Sequence, residues 1–440
     1  MENPAARKTL EEFRLAAYGT LGRRKDSLFE LMEAVLAGSG PATIVRLSLA
    51  GVFRRAWPSA PDALADGEVD ADRCRELVQT TAIEPGAGGR PVWALDGTVW
   101  PRPAAGTSPE RTYGHRTTAG IPQDGVVPAW EYEWLVDVPA PGTGWILPLD
   151  TERRGPDDGT PTAVAIGMLR GALARRPADA PRPVCALDSG YDPVQLTRAE
   201  LPLDLLVRLR SNRVFYRAPG PYQGRGAPRK YGDVFRLADP VTHASPDARV
   251  TLADPQCGRV QIDAWRDLRA KGAADAPFTI VRVQLERLPR RAKPPAPLWL
   301  AWIGGELPAD LGDLWRDYIL RFTVEHGFRF LKQALGWTTV RPRDPKAADR
   351  WTWLLALALW QLWLARSLVA DQRLPWERPL PASQLTPGRV RRAFSGLFAQ
   401  LGTPARPPKP RGKAPGRRPG YAPGPRSRHP VTRRRPKRAA

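Results

Sequence analysis

The chain has 440 residues, 42% of them hydrophobic, enough for two or three domains with a sizeable core, which excludes a disordered protein. Cys74, Cys185 and Cys257 are far apart and odd in number, which excludes a disulfide framework or a zinc pair and fits a reducing cytoplasm. The formal net charge is +22, and 13 Lys and Arg with no acid fall in residues 403–440, leaving +9 on the body; a polyanionic partner follows, nucleic acid being the commonest.

Met1 to Arg14 is polar and charged, so no secretory leader is expected there. Helix-period apolar positions in Glu11–Leu21, Ser27–Leu36 and Ala71–Val78 predict an N-terminal helical domain, residues 1–90. Its basic corner (Arg23, Arg24, Lys25) and the pair Arg54–Arg55 suit either DNA-end recognition or a packing domain with solvated charges. Glu84–Arg90 reads as a boundary loop.

V-W-A-L-D-G-T (Val92–Thr98) then reads as a buried strand ending in Asp96. Val126–Val138, in which Trp130, Tyr132 and Trp134 alternate with Glu131 and Glu133, reads as a strand, and so does Gly144–Leu149. Asp157–Ala174 predicts a helix with acids at its start, Pro183–Asp188 a second buried strand ending in Asp188, Pro193–Glu200 a short helix and Leu203–Leu209 a further strand. Asp96 and Asp188 each close a buried strand beside a small residue. If the strands are neighbours, both carboxylates emerge at one edge. Asp124, Asp137 and Asp150 are rivals in loop-like settings, the Asp157–Asp158 pair reads as a helix start, and Asp192 is the nearest rival to Asp188.

Residues 211–297 turn to Gly, Pro, Arg and short β-rich pieces, which predicts a mostly β insertion. Trp315–Leu335 then predicts one helix. At about 100° per residue Tyr318, Arg321, Glu325 and Lys332 fall in an arc of about 60°, beside an apolar stripe of Leu320, Val324, Phe328, Leu331 and Leu335. An amphipathic helix with charge decoration has the same geometry. Trp351–Ala365 is apolar for 15 residues between arginines, short of the ~20 that span a bilayer, and predicts a buried helix in residues 298–372. Arg389–Leu401 predicts a last helix within residues 373–402. Residues 403–440, rich in Pro, Gly, Arg and Lys, are expected to be disordered.

Y-x2-R-x3-E-x6-K, matched at every spacing by Tyr318, Arg321, Glu325 and Lys332, resembles the signature of one large group of DDE transposases from bacterial insertion sequences. The continuation Phe328–Trp337 is similar too. Val92–Pro103, Ala186–Asp192 and Arg343–Leu354 resemble motifs of a subgroup common in high-GC actinobacteria, so the likeness spans roughly residues 10–410.

The resemblance implies a ribonuclease H-like α/β catalytic domain, residues 91–210 and 298–372, interrupted by the insertion. It also implies a carboxylate triad of Asp96, Asp188 and Glu325 holding two Mg²⁺, with Mn²⁺ as a substitute. Arg321 and Lys332 would then contact phosphates, and Tyr318 would position the DNA or the Glu. Implied partners are double-stranded transposon ends and target DNA, bound by a homodimer; implied location is the cytoplasm, at the nucleoid, with no membrane. A flipped base would stack on an insertion aromatic, for which Trp265, Trp299 and Trp302 are candidates, each equally suited to a core. His115 and His326 have no ligand spacing. The alternatives are a nuclease on the same fold that does not join DNA, and an inactive DNA-binding derivative.

Overall fold

The structure is a computed structural model that describes residues 3–433 except 39, 41, 84–88, 116–124, 141, 223, 225, 289–294, 411–415, 417 and 423. Asp124 and most of the expected boundary loop lie outside the described residues.

Five helices open the chain: α1 (Pro4–Gly19), α2 (Lys25–Ala37), α3 (Ile44–Ser48), α4 (Ser59–Asp66) and α5 (Ala71–Thr80). Asn3, Thr43 and Asp70 cap α1, α3 and α5 by accepting from backbone N–H groups in their first turns. They do not form a core of their own. Leu10, Phe13, Leu31 and Met32 join one buried cluster with the sheet and with the long helix α10 (Pro345–Ala365). That contact explains the Trp-rich run. A helix surrounded on every side buries apolar residues all round, and the indole N–H of Trp360 donates to Pro148 O at 2.8 Å. Arg14, 2% exposed, pairs with Glu33 and donates to Gln361 Oε1 at 2.8 Å, so α1, α2 and α10 also share a buried polar link.

The strands are β1 (Val92–Pro101), β2 (Thr112–His115), β3 (Val126–Asp137), β4 (Leu147–Arg154), β5 (Val184–Leu187), β6 (Asp204–Leu209), β7 (Val214–Tyr216), β8 (Val234–Arg236), β9 (Ala248–Asp254), β10 (Gly258–Ala270), β11 (Ala273–Leu285) and β12 (Leu298–Ile303). They form one mixed sheet in the order β2-β3-β1-β5-β6-β12-β11-β10-β7-β8, with β4 also on β3 and β9 also on β10. Strand β3 runs antiparallel to both β1 and β4, while β5 and β6 run parallel to β1. The β-rich segment is therefore continuous with this sheet, joined through β12 on β6.

Helix α6 (Pro161–Ala174) connects β4 to β5, and α7 (Pro193–Arg198) connects β5 to β6. Thr160, not Asp157 or Asp158, caps α6. After β12 come α8 (Gly312–Leu320) and α9 (Thr323–Arg329), and after α10 come α11 (Pro387–Phe394) and α12 (Phe398–Leu401). Among the described residues no helix is long and apolar enough to cross a membrane.

Two expectations need correction. The single helix Trp315–Leu335 is interrupted. Arg321, Phe322, Val324 and Glu325 donate to carbonyls three residues back, which tightens the turn after α8. Phe330–Ala334 is then a π-turn, and Gly336, at φ +72, ends the segment where a Cβ would stand 2.4 Å from Ala42 O. The stripe still buries at Val324, Leu331 and Leu335, each 0% exposed.

The tail is also held at two places. Arg406 N–H donates to Asp26 at 3.0 Å; further on, His429 N–H donates to Gly106 O at 2.8 Å and Thr432 N–H to Arg111 O at 2.9 Å. Main-chain hydrogen bonds need no apolar side chains, so composition gave no sign of them.

Candidate active site

Strands β1 and β5 place the first two acids. Ala94 pairs with Ala186 and Leu95 with Leu187 in parallel register, so Asp96 and Asp188, next along each strand, emerge side by side. Ala94, Leu95, Ala186 and Leu187 are 0% exposed, as expected of a parallel pair covered on both faces. By strand alternation Asp96 and Asp188 share the face of Ala94 and Ala186. Helix α8 covers that face, with Trp315 and Tyr318 packed in one cluster with Ala186 and Leu206.

Arg321, just past α8 and 4% exposed, turns its guanidinium onto this edge. Nη1 donates to Asp96 Oδ2 at 3.0 Å, and Nη2 lies 3.9 Å from Glu325 Oε1. The rings of Phe322 and Tyr318 flank it at 5.0 and 5.7 Å. Tyr318 is fully buried, and burial raises its hydroxyl pKa, with Arg321 and Arg208 opposing and Asp188 adding to the rise. Lys332 Nζ donates to Thr98 Oγ1 at 2.6 Å, two residues beyond Asp96 on the same face. Burial lowers its pKa to about 8, with Asp96 pulling the other way.

The Asp96 carboxyl is pushed up to about 7, chiefly by burial; Arg321 opposes this, and the charges of Asp188 and Glu133 reinforce it. Asp188 Oδ1 is a buried oxygen with no hydrogen-bond partner, and Arg208 Nη1 lies 3.6 Å from it. Glu325 stands on α9 with its side chain 60% exposed.

The structure thus brings Asp96, Asp188, Arg321 and Lys332 to one edge, with Glu325 at its border through Arg321. Among the described residues no three His, Cys, Asp or Glu side chains converge as a formed metal cluster. The donors nevertheless fit a hard divalent cation. They are all carboxylate oxygens, one is buried without a bond, and a second carboxyl beside it is destabilised as an anion.

The rival acids serve elsewhere. Asp192 caps α7 through Val194 N–H, Asp150 pairs with Arg75, Asp158 accepts from Gly155 N–H, and Asp137 is buried at the far end of β3. Trp265, Trp299 and Trp302 are at most 3% exposed, so each is core. His115 and His326 are exposed and join no cluster among the described residues. Arg208 escaped the sequence reading. It is placed by the register of β6 on β5, Leu187 opposite Val207, which puts the next residue of β6 beside Asp188 and which no sequence signal marks.

A family model described as DDE superfamily endonuclease matches residues 17–271, more than half of the chain and including both aspartates. No curated protein matches the chain.

Proposed function

The chain belongs to the DDE superfamily endonuclease family, and from that premise we propose that it is a DNA transposase, cutting at transposon ends and joining them to target DNA. The observation that carries this reading is the parallel register that sets Asp96 beside Asp188, with Arg321 reaching from Asp96 toward Glu325. The strand order, with β3 antiparallel to β1 and β4 and then two strands parallel to the first, supports a ribonuclease H-like catalytic domain. The match to Tyr318, Arg321, Glu325 and Lys332 at every spacing supports the insertion-sequence group.

In this reading Asp96, Asp188 and Glu325 hold divalent metal, two Mg²⁺ or Mn²⁺, which supplies an activated nucleophile and charge relief at the leaving oxygen. The chain's own residues do the rest. Arg321, boxed between two rings, presents a planar fork suited to a phosphate; Lys332 adds a point charge on the same face. Tyr318 packs against Arg321 and orients it. Arg208 places a second guanidinium beside Asp188, within reach of the same phosphate. The net positive body and tail favour duplex DNA as partner.

A second reading, cleavage without joining, is favoured by the family description itself, an endonuclease. Incubating the protein with Mg²⁺, DNA bearing the inverted repeats that flank its gene, and a supercoiled target plasmid separates the two. Repeat ends joined to the plasmid support the transposase; cut ends without joined product support the nuclease.

A further inference from the structure

Beneath the edge that carries Asp96 and Asp188, on the other face of the sheet, lies a buried polar link with no part in the chemistry above. Strand alternation puts Gly97 on the face opposite Asp96, and Gly97 pairs with Glu133 across the β1–β3 ladder. Glu133 is 2% exposed. Its carboxylate lies over Gly97: a Cβ there would stand 3.0 Å from Oε2 and 3.3 Å from Oε1. The side chain that Gly97 lacks is thus the space this carboxylate uses.

Tyr191, 4% exposed and three residues beyond Asp188, donates its hydroxyl to Glu133 Oε2 at 2.6 Å. Arg154 Nε lies 3.4 Å from Glu133 Oε1 and balances its charge. One carboxylate on β3 therefore lies over Gly97, next to Asp96, and bonds to the turn that follows Asp188. An acid buried this deeply is costly unless it is paired and hydrogen-bonded. An apolar residue would fill the space without that cost, but it would not hold the hydroxyl of Tyr191.

We propose that Glu133 and Tyr191 are positioning residues that fix Asp96 relative to Asp188 and so set the affinity of that pair for a divalent cation. The inference rests on the metal-site reading of the carboxylates. Partners behind metal ligands typically govern about 10–100-fold in affinity.

The test is Mn²⁺ binding to the full-length protein without DNA, read from the electron paramagnetic resonance signal of free Mn²⁺, with thermal melting in parallel. Tyr191→Phe is expected to weaken binding about 10-fold or more. Gly97→Ala, which pushes the carboxylate away, should act in the same direction. Glu133→Gln keeps an oxygen for the Tyr191 hydroxyl and should retain most of the affinity that Glu133→Ala loses. Wild-type Mn²⁺ affinity in Tyr191→Phe or Gly97→Ala overturns the proposal, as does a Glu133→Gln protein no better than Glu133→Ala. Asp96→Asn and Asp188→Asn separate the two levels. If they lose Mn²⁺ while Tyr191→Phe does not, only the positioning role falls; if they bind like wild type, the metal site falls and the positioning role with it.

Discussion

Arg321 donates to Asp96 Oδ2 at 3.0 Å while its other terminal nitrogen lies 3.9 Å from Glu325 Oε1, so one buried cation ties the first carboxylate to the third. Breaking a buried pair from one side costs roughly 3–5 kcal/mol, because the remaining charge is left unpaired. Arg321→Ala should therefore lower stability as well as cleavage. Asp96→Asn combined with Arg321→Ala should cost less than the two single changes added together. Denaturant melts of the four proteins measure that coupling, and strict additivity would mean the two side chains do not interact.

The raised Asp96 pKa gives a pH dependence of known sign. The folded value is about 7 against an ordinary 3.8, with burial the main cause. The folded state thus holds this proton more tightly than the unfolded state. Stability from the protonated form is present below about pH 4 and lost as pH rises through 7. In metal-free protein, the stability of Asp96→Asn relative to wild type should rise as pH climbs from 4 through 7 to 8. A difference independent of pH would contradict the burial of this carboxyl.

Lys332 titrates in the opposite functional sense. Burial depresses its pKa to about 8, so its ammonium is charged below that pH and largely neutral above it. If the charge holds a phosphate, kcat/KM for cleavage at saturating metal should fall as pH rises through 8. Lys332→Arg, whose guanidinium stays charged throughout, should remove that fall even if its overall rate is lower. A wild-type profile flat from pH 7 to 9.5 would remove Lys332 from the site.

The surroundings of Asp96 and Asp188 were readable because both follow short buried apolar runs, V-W-A-L and V-C-A-L, whose lengths suit covered parallel strands. Register was not readable. Arg208 and Glu133 matter through which residue lies opposite them, and a single sequence carries no record of that pairing. The helix bearing the Y-R-E-K spacing was legible as a helical segment, but its break was not. The tightened turn at Arg321–Glu325 and the π-turn at Phe330–Ala334 lie where the segment meets Asp96 and, through Gly336, Ala42, both distant in sequence. The N-terminal helices looked like a separate unit because their periodicity is local, whereas the burial of α1 and α2 depends on α10 more than 300 residues later.

The tail should supply affinity without sequence reading. Residues up to Arg406 pack on the N-terminal segment, so a truncation from residue 407 keeps that hold and removes the one at His429 and Thr432 together with most of the tail charge. Each phosphate contact contributes about 0.9 to the log–log salt slope, and about four engaged residues would make the truncated protein's slope shallower by roughly 3–4. The preference for end over random duplex should survive, because it would reside in folded parts such as residues 9–83 and the β-rich insertion. An unchanged slope would mean the tail does not touch DNA, and loss of the preference would mean it reads sequence.

Glu325 is the most direct point of test, because it is the exposed member of the proposed triad and its replacement disturbs no core. Single-turnover cleavage of end-bearing DNA in Mg²⁺ should be measured for wild type and Glu325→Gln, with DNA affinity and melting temperature determined on the same preparations. Glu325→Gln should bind DNA and melt like wild type but yield no detectable cut strand. Cleavage by Glu325→Gln at the wild-type rate would contradict the proposed triad.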